Sequence, residues 1–227
     1  MSKRATTYIG LTVATGTGFL ATALALDGRF PDLFAYVCYF ALALLTSSWK
    51  VRLPGITSTI SVNFLFVLIS IAAFSFAETV LLAGTACVVQ CLWRPRTQPK
   101  LIQVAFNVST LAISSGLAYR AAHGIADKSG NGLPVLLALA ACFYFTANTL
   151  LVSGVLSLVE NKPLLDIWRQ CYLWSFPYYL VGAAIAASIV FCGRTSGWAV
   201  PLLIMPLMWM IFLFYRTCIQ RLAQPAH

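Results

Sequence analysis

The sequence predicts an all-α, polytopic transmembrane helix bundle of about eight helices, with six or seven as the alternative, and with both termini cytoplasmic. Three observations carry that expectation. Hydrophobic residues make up 60% of the chain and charged residues only 9%, where a soluble domain has about 25% charged. With a mean hydropathy of +0.84, there is more apolar surface than a soluble core of this size can hide, whereas a bilayer takes it as solvent. The apolar residues also fall into separate runs, most of them close to the length that crosses about 30 Å of hydrocarbon at about 1.5 Å per residue. Finally, the 15 Lys and Arg gather in short turns between those runs.

The chain is expected to be organised around Lys50–Lys100, where two apolar runs lie between basic turns. The runs are about Ile56–Phe74 and Thr79–Trp93, with the only acid, Glu78, where the chain should reverse at Ser75–Glu78. This reads as a helical hairpin leaving a basic face and returning to it. Before it come a first helix over about Tyr8–Leu26, the turn Asp27–Asp32, a second helix over about Leu33–Trp49 and the breaker Leu53-Pro54-Gly55. Lys3 and Arg4 precede the first helix as in a signal peptide, but its apolar run continues past Leu20 without a cleavage site, so the helix is retained. After the hairpin, the turn RPRTQPK has two prolines and three cations and cannot lie in lipid.

Then follow a helix over about Leu101–Ala122, a polar loop His123–Gly132, and a helix over about Leu133–Val159. The segment Glu160–Gln170 is polar, but Leu164, Leu165, Ile167 and Trp168 suit it to the membrane interface. Helices over about Cys171–Phe191 and Ala199–Tyr215 complete the set. Residues 1–227 form one integral membrane domain, with residues 94–100 a cytoplasmic basic turn and 216–227 a cytoplasmic tail. This topology puts eleven cations inside (Lys3, Arg4, Lys50, Arg52, Arg94, Arg96, Lys100, Lys162, Arg169, Arg216, Arg221) and four outside (Arg29, Arg120, Lys128, Arg194). The imbalance follows the positive-inside rule and accounts for the net charge of +9 without nucleic acid.

No Lys, Arg, Asp or Glu falls in the middle of a predicted helix, which excludes proton pumps, voltage sensors and intramembrane carboxylate or metal enzymes. The candidate ligand-binding residues are therefore Asn63, Asn107, Asn148 and Gln90, with Gln103 nearer the boundary. Their alternative role is to hydrogen-bond across helices and fix packing. Aromatics add Tyr144, between Phe143 and Phe145, and Trp174, among Tyr172, Phe176, Tyr178 and Tyr179, either as an interface belt or as a stacking wall. Glu78 is expected to be a solvated charge at the positive end of a helix dipole. Seven cysteines form no disulfide or metal framework, and Cys87 and Cys91, four apart on one helix face, have no His or acid beside them. Neither a nucleophile elbow nor a P-loop, HExxH or dinucleotide fingerprint is present, and the histidines, His123 and His227, fall outside the helices. The expectation is no enzyme, no catalytic residue, no cofactor and no metal.

The runs KVRLPGITSTISVNFLFVLISI, ETVLLAG, VQCLW and FNVSTLAIS resemble the multi-helix N-terminal membrane sensor region of bacterial HD-GYP and GGDEF signalling proteins. WRQCYLWSFPYYLVGAAIA and the ending PLMWMIFLFYRTCIQRL are similar to the same region, where a basic juxtamembrane helix leads into the output domain. Here the chain stops at His227 without an output domain, which implies a sensor module that signals through another protein or a stand-alone relative. The resulting expectation is a non-catalytic bacterial protein of the inner (plasma) membrane. It would be a sensor whose partners are the lipid bilayer, a small-molecule ligand, and a cytoplasmic signalling protein or a second copy. The rival expectation is a small-molecule transporter or the substrate-binding subunit of one.

Overall fold

A computed structural model describes residues 3–27, 31–47, 50–52, 59–61, 63–93, 98–129, 132–171 and 175–196. These hold eight helices: α1 (Lys3–Asp27), α2 (Leu33–Ser47), α3 (Asn63–Ala73), α4 (Phe76–Leu92), α5 (Leu101–Ser129), α6 (Leu133–Glu160), α7 (Leu164–Cys171) and α8 (Phe176–Ser196). Between α2 and α3 lies a small antiparallel ribbon, β1 (Lys50–Arg52) against β2 (Thr59–Ser61), with Lys50 opposite Ser61. The fold is the all-α bundle the sequence predicts. Four helices, α1, α5, α6 and α8, are long and apolar enough to cross a membrane, and α2, α3 and α4 are shorter apolar helices. The predicted Ala199–Tyr215 helix, the tail 216–227, Trp174 and positions 94–97 of the basic turn lie outside the described residues.

At the centre is α3. It is apolar all round, and every residue from Asn63 to Ile71 is buried, as expected of a helix enclosed by others. Around it pack α2, α4, α6 and α8. It is also shorter than predicted: the chain is extended at Thr59–Ser61 and turns helical only at Asn63. With 11 residues against 17 in α4, α3 stops about 9 Å short of its hairpin partner at about 1.5 Å per residue. Its first turn therefore lies inside the bundle, where irregular backbone is tolerated only if protein surrounds it.

The reversal between α3 and α4 is closed locally. Ser75 is the N-cap of α4: its Oγ accepts from the Glu78 backbone N–H at 3.3 Å, and Glu78 Oε2 accepts from the Ser75 N–H at 2.8 Å. This is a capping box, and it satisfies two N–H groups that the helix leaves open. Ser70 of α3 donates its hydroxyl to Thr79 Oγ1 of α4 at 3.1 Å.

Small residues set the closest helix approaches. Gly16 of α1 meets Ser109 of α5, Gly116 of α5 meets Phe19 of α1, and Gly182 of α8 meets the ring of Phe64 of α3, each with no room for a Cβ. Small side chains do this work in membranes because van der Waals contact, not apolar transfer, drives helix association there. Tyr8 of α1 lies over Gly154 of α6 and donates its hydroxyl to Leu151 O at 3.0 Å. α7 is short, and it docks on α6 by buried Ile167 and by Trp168, whose Nε1 donates to Thr149 Oγ1 at 2.9 Å. Asn161, with φ 53°, ends α6 in the left-handed conformation that Asn tolerates.

Two expectations are corrected. His123 stands in no loop, because α5 continues to Ser129; its Nε2 is 2.8 Å from Ile71 O of α3. Glu78 is at a helix start but is not solvated, because its side chain is fully buried. The Gly182 contact gives the first test. Gly182→Val displaces Phe64, with an expected cost of about 1–3 kcal/mol, read as a lower midpoint of thermal unfolding in detergent.

Candidate functional site

Five of the six residues singled out in the sequence are described: Asn63 and Tyr144 lie on or beside one set of aromatic contacts, Gln90 and Asn107 lie on or beside a contact of α4 with α5, and Asn148 lies on α6. Asn63, 2% exposed, opens α3. Its neighbour Phe64 stacks at 4.7 Å on Tyr179 and at 4.8 Å on Tyr178, both of α8. Tyr179 lies 6.1 Å from Tyr144 of α6. Tyr144 is buried. Cys87, buried, and Cys91, half-buried, lie one turn apart on α4, and Asn107 of α5 donates Nδ2–H to Cys91 Sγ at 3.5 Å. Gln90, half-buried, precedes Cys91. Asn148, also half-buried, lies one turn after Tyr144 on α6. Phe145 extends the aromatic part, with Phe176 at 5.1 Å and Tyr179 at 5.2 Å.

The rings join α3, α6 and α8, most of them tilted to one another, and the Asn107–Cys91 contact joins α5 to α4. Such contacts are individually weak: ring pairs contribute about 0.5–1.5 kcal/mol each beyond buried area. Of the aromatics read as a possible interface belt, Tyr144, Phe145 and Tyr179 are buried.

A second polar group sits at the other end of the hairpin. Glu78 Oε1 has no hydrogen-bond partner among the described residues, and Tyr36 of α2 stands within reach of its charge. Tyr36 and Tyr39 meet Phe74 edge-on at 5.7 and 5.4 Å. On the α5 side, His123 stacks on Tyr119 at 4.4 Å, and Arg120 lies 4.4 Å over the ring of Phe76, a cation–π contact. Two signals in the sequence point here: the S-x-x-E spacing of Ser75 and Glu78 ahead of an apolar run marks a capping box, and Tyr119–His123 are four apart on one helix face.

Helices long enough to cross a bilayer, small residues at their contacts and buried amide and aromatic groups define an integral membrane protein. The chain belongs to the MASE9 family of membrane-associated sensors, whose family profile matches residues 15–217. No curated protein and no solved structure matches the chain.

Burial separates Asn63 from Asn107. Asn63→Leu removes a buried polar group from the start of α3 and is expected to lower stability by about 1–3 kcal/mol. Asn107→Leu alters an exposed side chain and should stay within about 0.5 kcal/mol. Thermal unfolding of both variants in one detergent checks the contrast.

Proposed function

We propose that the chain is the sensor module of a bacterial inner-membrane signalling system and works without catalysis. A small ligand enters between the helices in the region of Asn63 and Asn107, with Tyr144, Gln90 and Asn148 beside it and Trp174 on the segment that leads into α8. The observation that carries this reading is the late start of α3 at Asn63. It leaves a buried Asn and two aromatic walls at membrane depth, where polar groups are costly and mark functional sites. Family membership supports the sensor role. The resemblance to membrane regions that precede HD-GYP and GGDEF domains supports a cytoplasmic signalling partner or a second copy as the receiver.

Helix ends support the orientation. Tyr8 near the start of α1, Phe106 near the start of α5 and Leu151 late in α6 meet at one end. Lys3, Arg4, Lys100, Lys162 and Arg169 belong to that end by sequence. With the eleven-to-four bias of cations this supports a cytoplasmic side for the basic turn 94–100 and both termini. A reporter fused after Lys162 should be active in its cytoplasmic form and one inserted after Asp127 in its external form; the reverse pattern would overturn the orientation.

A sensor must bind its ligand with different affinity in two states. A thermal-shift screen of the detergent-purified chain against metabolites, vitamins and lipids is therefore expected to give a specific hit. At 100 times its dissociation constant the ligand adds about 2.7 kcal/mol, and the shift disappears in Asn107→Leu or Asn148→Leu while their unliganded unfolding is unchanged. A short helix that begins at membrane depth is also a feature of transporters. Uptake of the same ligand into vesicles would replace the sensor reading with that one.

A further inference from the structure

We propose that the α3–α4 reversal binds a small protonated amine, with Glu78 as its anchor. Glu78 is fully buried. Its Oε2 accepts from the Ser75 N–H at 2.8 Å, whereas Oε1 has no hydrogen-bond partner among the described residues. An unpaired carboxylate inside a protein is costly, so a buried one is paired with a cation or ligates one. Among the described residues the ion pair is Lys162–Glu160, after α6, and no cation pairs with Glu78. The basic side chains of α5 are engaged otherwise. Arg120 is exposed and lies 4.4 Å over the ring of Phe76, and His123 Nε2 donates to Ile71 O at 2.8 Å. The helix ends do not settle the charge either. The start of α4 favours an anion and the end of α3 a cation, each by about half a charge, and only Phe74 and Ser75 separate the two ends.

The reversal supplies further acceptors. A helix leaves its last four carbonyls open. At the end of α3 that of Ser70 accepts from the Phe74 N–H and that of Ile71 from His123, which leaves those of Ala72 and Ala73. Ala72 and Ser75 are half-buried and Ala73 is exposed, so the turn offers a route from the surface to the buried oxygen. An ammonium head, with its N–H donors, matches one carboxylate oxygen flanked by terminal carbonyls. Mg²⁺ and Ca²⁺ take about six to eight oxygens, and Glu78 is the one acid at this turn. Tyr36 and Tyr39 of α2 meet Phe74 edge-on at 5.7 and 5.4 Å, and aromatic side chains suit the charge and carbons of an amine. In the proposed orientation the reversal faces outward, so the amine arrives from outside. Binding here does not rest on a ligand at Asn63 and Asn107.

The test follows thermal unfolding of the full chain in detergent and phosphate buffer, with methylammonium or sodium chloride replacing tetramethylammonium chloride at constant ionic strength. Tetramethylammonium carries the same charge without an N–H. A saturable rise of the unfolding midpoint with methylammonium is expected. Glu78→Gln keeps the capping box, because Gln serves at that position as Glu does, and should weaken the response at least about tenfold. A response that Glu78→Gln retains overturns the site. So does a wild type indifferent to methylammonium, whose Glu78 is then satisfied by water or a proton. An equal response to tetramethylammonium or Na⁺ overturns the amine assignment. Should Glu78→Gln fail to fold, the wild-type comparison of the three cations decides alone. Asn148→Leu should leave the methylammonium response unchanged, so this site and the sensor reading fail independently.

Discussion

Hydrocarbon offers no hydrogen bonds, so the bundle depends on each helix end at membrane depth closing its own backbone groups. The α3–α4 reversal is where that constraint is sharpest. Ser75 and Glu78 close the start of α4 through the capping box, and His123 reaches across from α5 to the carbonyl of Ile71 in the last turn of α3. Within the helices, Thr12, Ser114 and Ser115 return their hydroxyls to carbonyls three or four residues back, which satisfies them inside the bundle. Because the hairpin is sealed, α3 can be enclosed on all sides, and the other helices are arranged around it.

Two kinds of contact then divide the bundle. α1 and α5 meet through glycine at Gly16 and Gly116, a geometry in which backbones nearly touch and a small shift produces overlap. α3, α6 and α8 meet through rings at 4.7–6.1 Å that are tilted rather than stacked flat. Tilted rings slide with little loss, because each pair contributes about 0.5–1.5 kcal/mol. Stiffness therefore lies on the α1–α5 side and compliance on the side that carries Asn63, Tyr144 and Tyr179.

Most of the architecture was legible because apolar runs broken by basic turns leave few ways to fold in a bilayer. The turn at Ser75–Glu78 and the break before α6 could be read directly. The start of α3 could not: no charge or breaker interrupts the stretch from Ile56 on, and its β-branched residues Thr57, Thr59 and Ile60 are equally suited to an extended strand, a choice the pairing with Lys50–Arg52 makes. His123 was misplaced because Gly124, Asp127 and Lys128 resemble a loop in composition, yet a helix end that projects past the hydrocarbon is free to be polar. Glu78 looked solvated because acids at turns usually are; packing of the bundle around the start of α4 buries it fully. The Asn residues were found by the cost of polar groups in lipid, whereas the Asn107–Cys91 contact needed the helix register of α4 against α5.

The position of that contact matters for signalling. Cys91 lies three residues before Arg94, so in the sensor reading a ligand at Asn107, which contacts Cys91, acts on the last turn of α4. A ligand held by Asn63 and Tyr144 acts instead on the start of α3 and on α8, through Phe64 and Gly182. In the sensor reading both routes bias one compliant wall while the glycine-packed side stays fixed. Output then follows from rotation or sliding of α4 and α8 against α5 and α1, not from any change inside α3, whose enclosure leaves it no second packing.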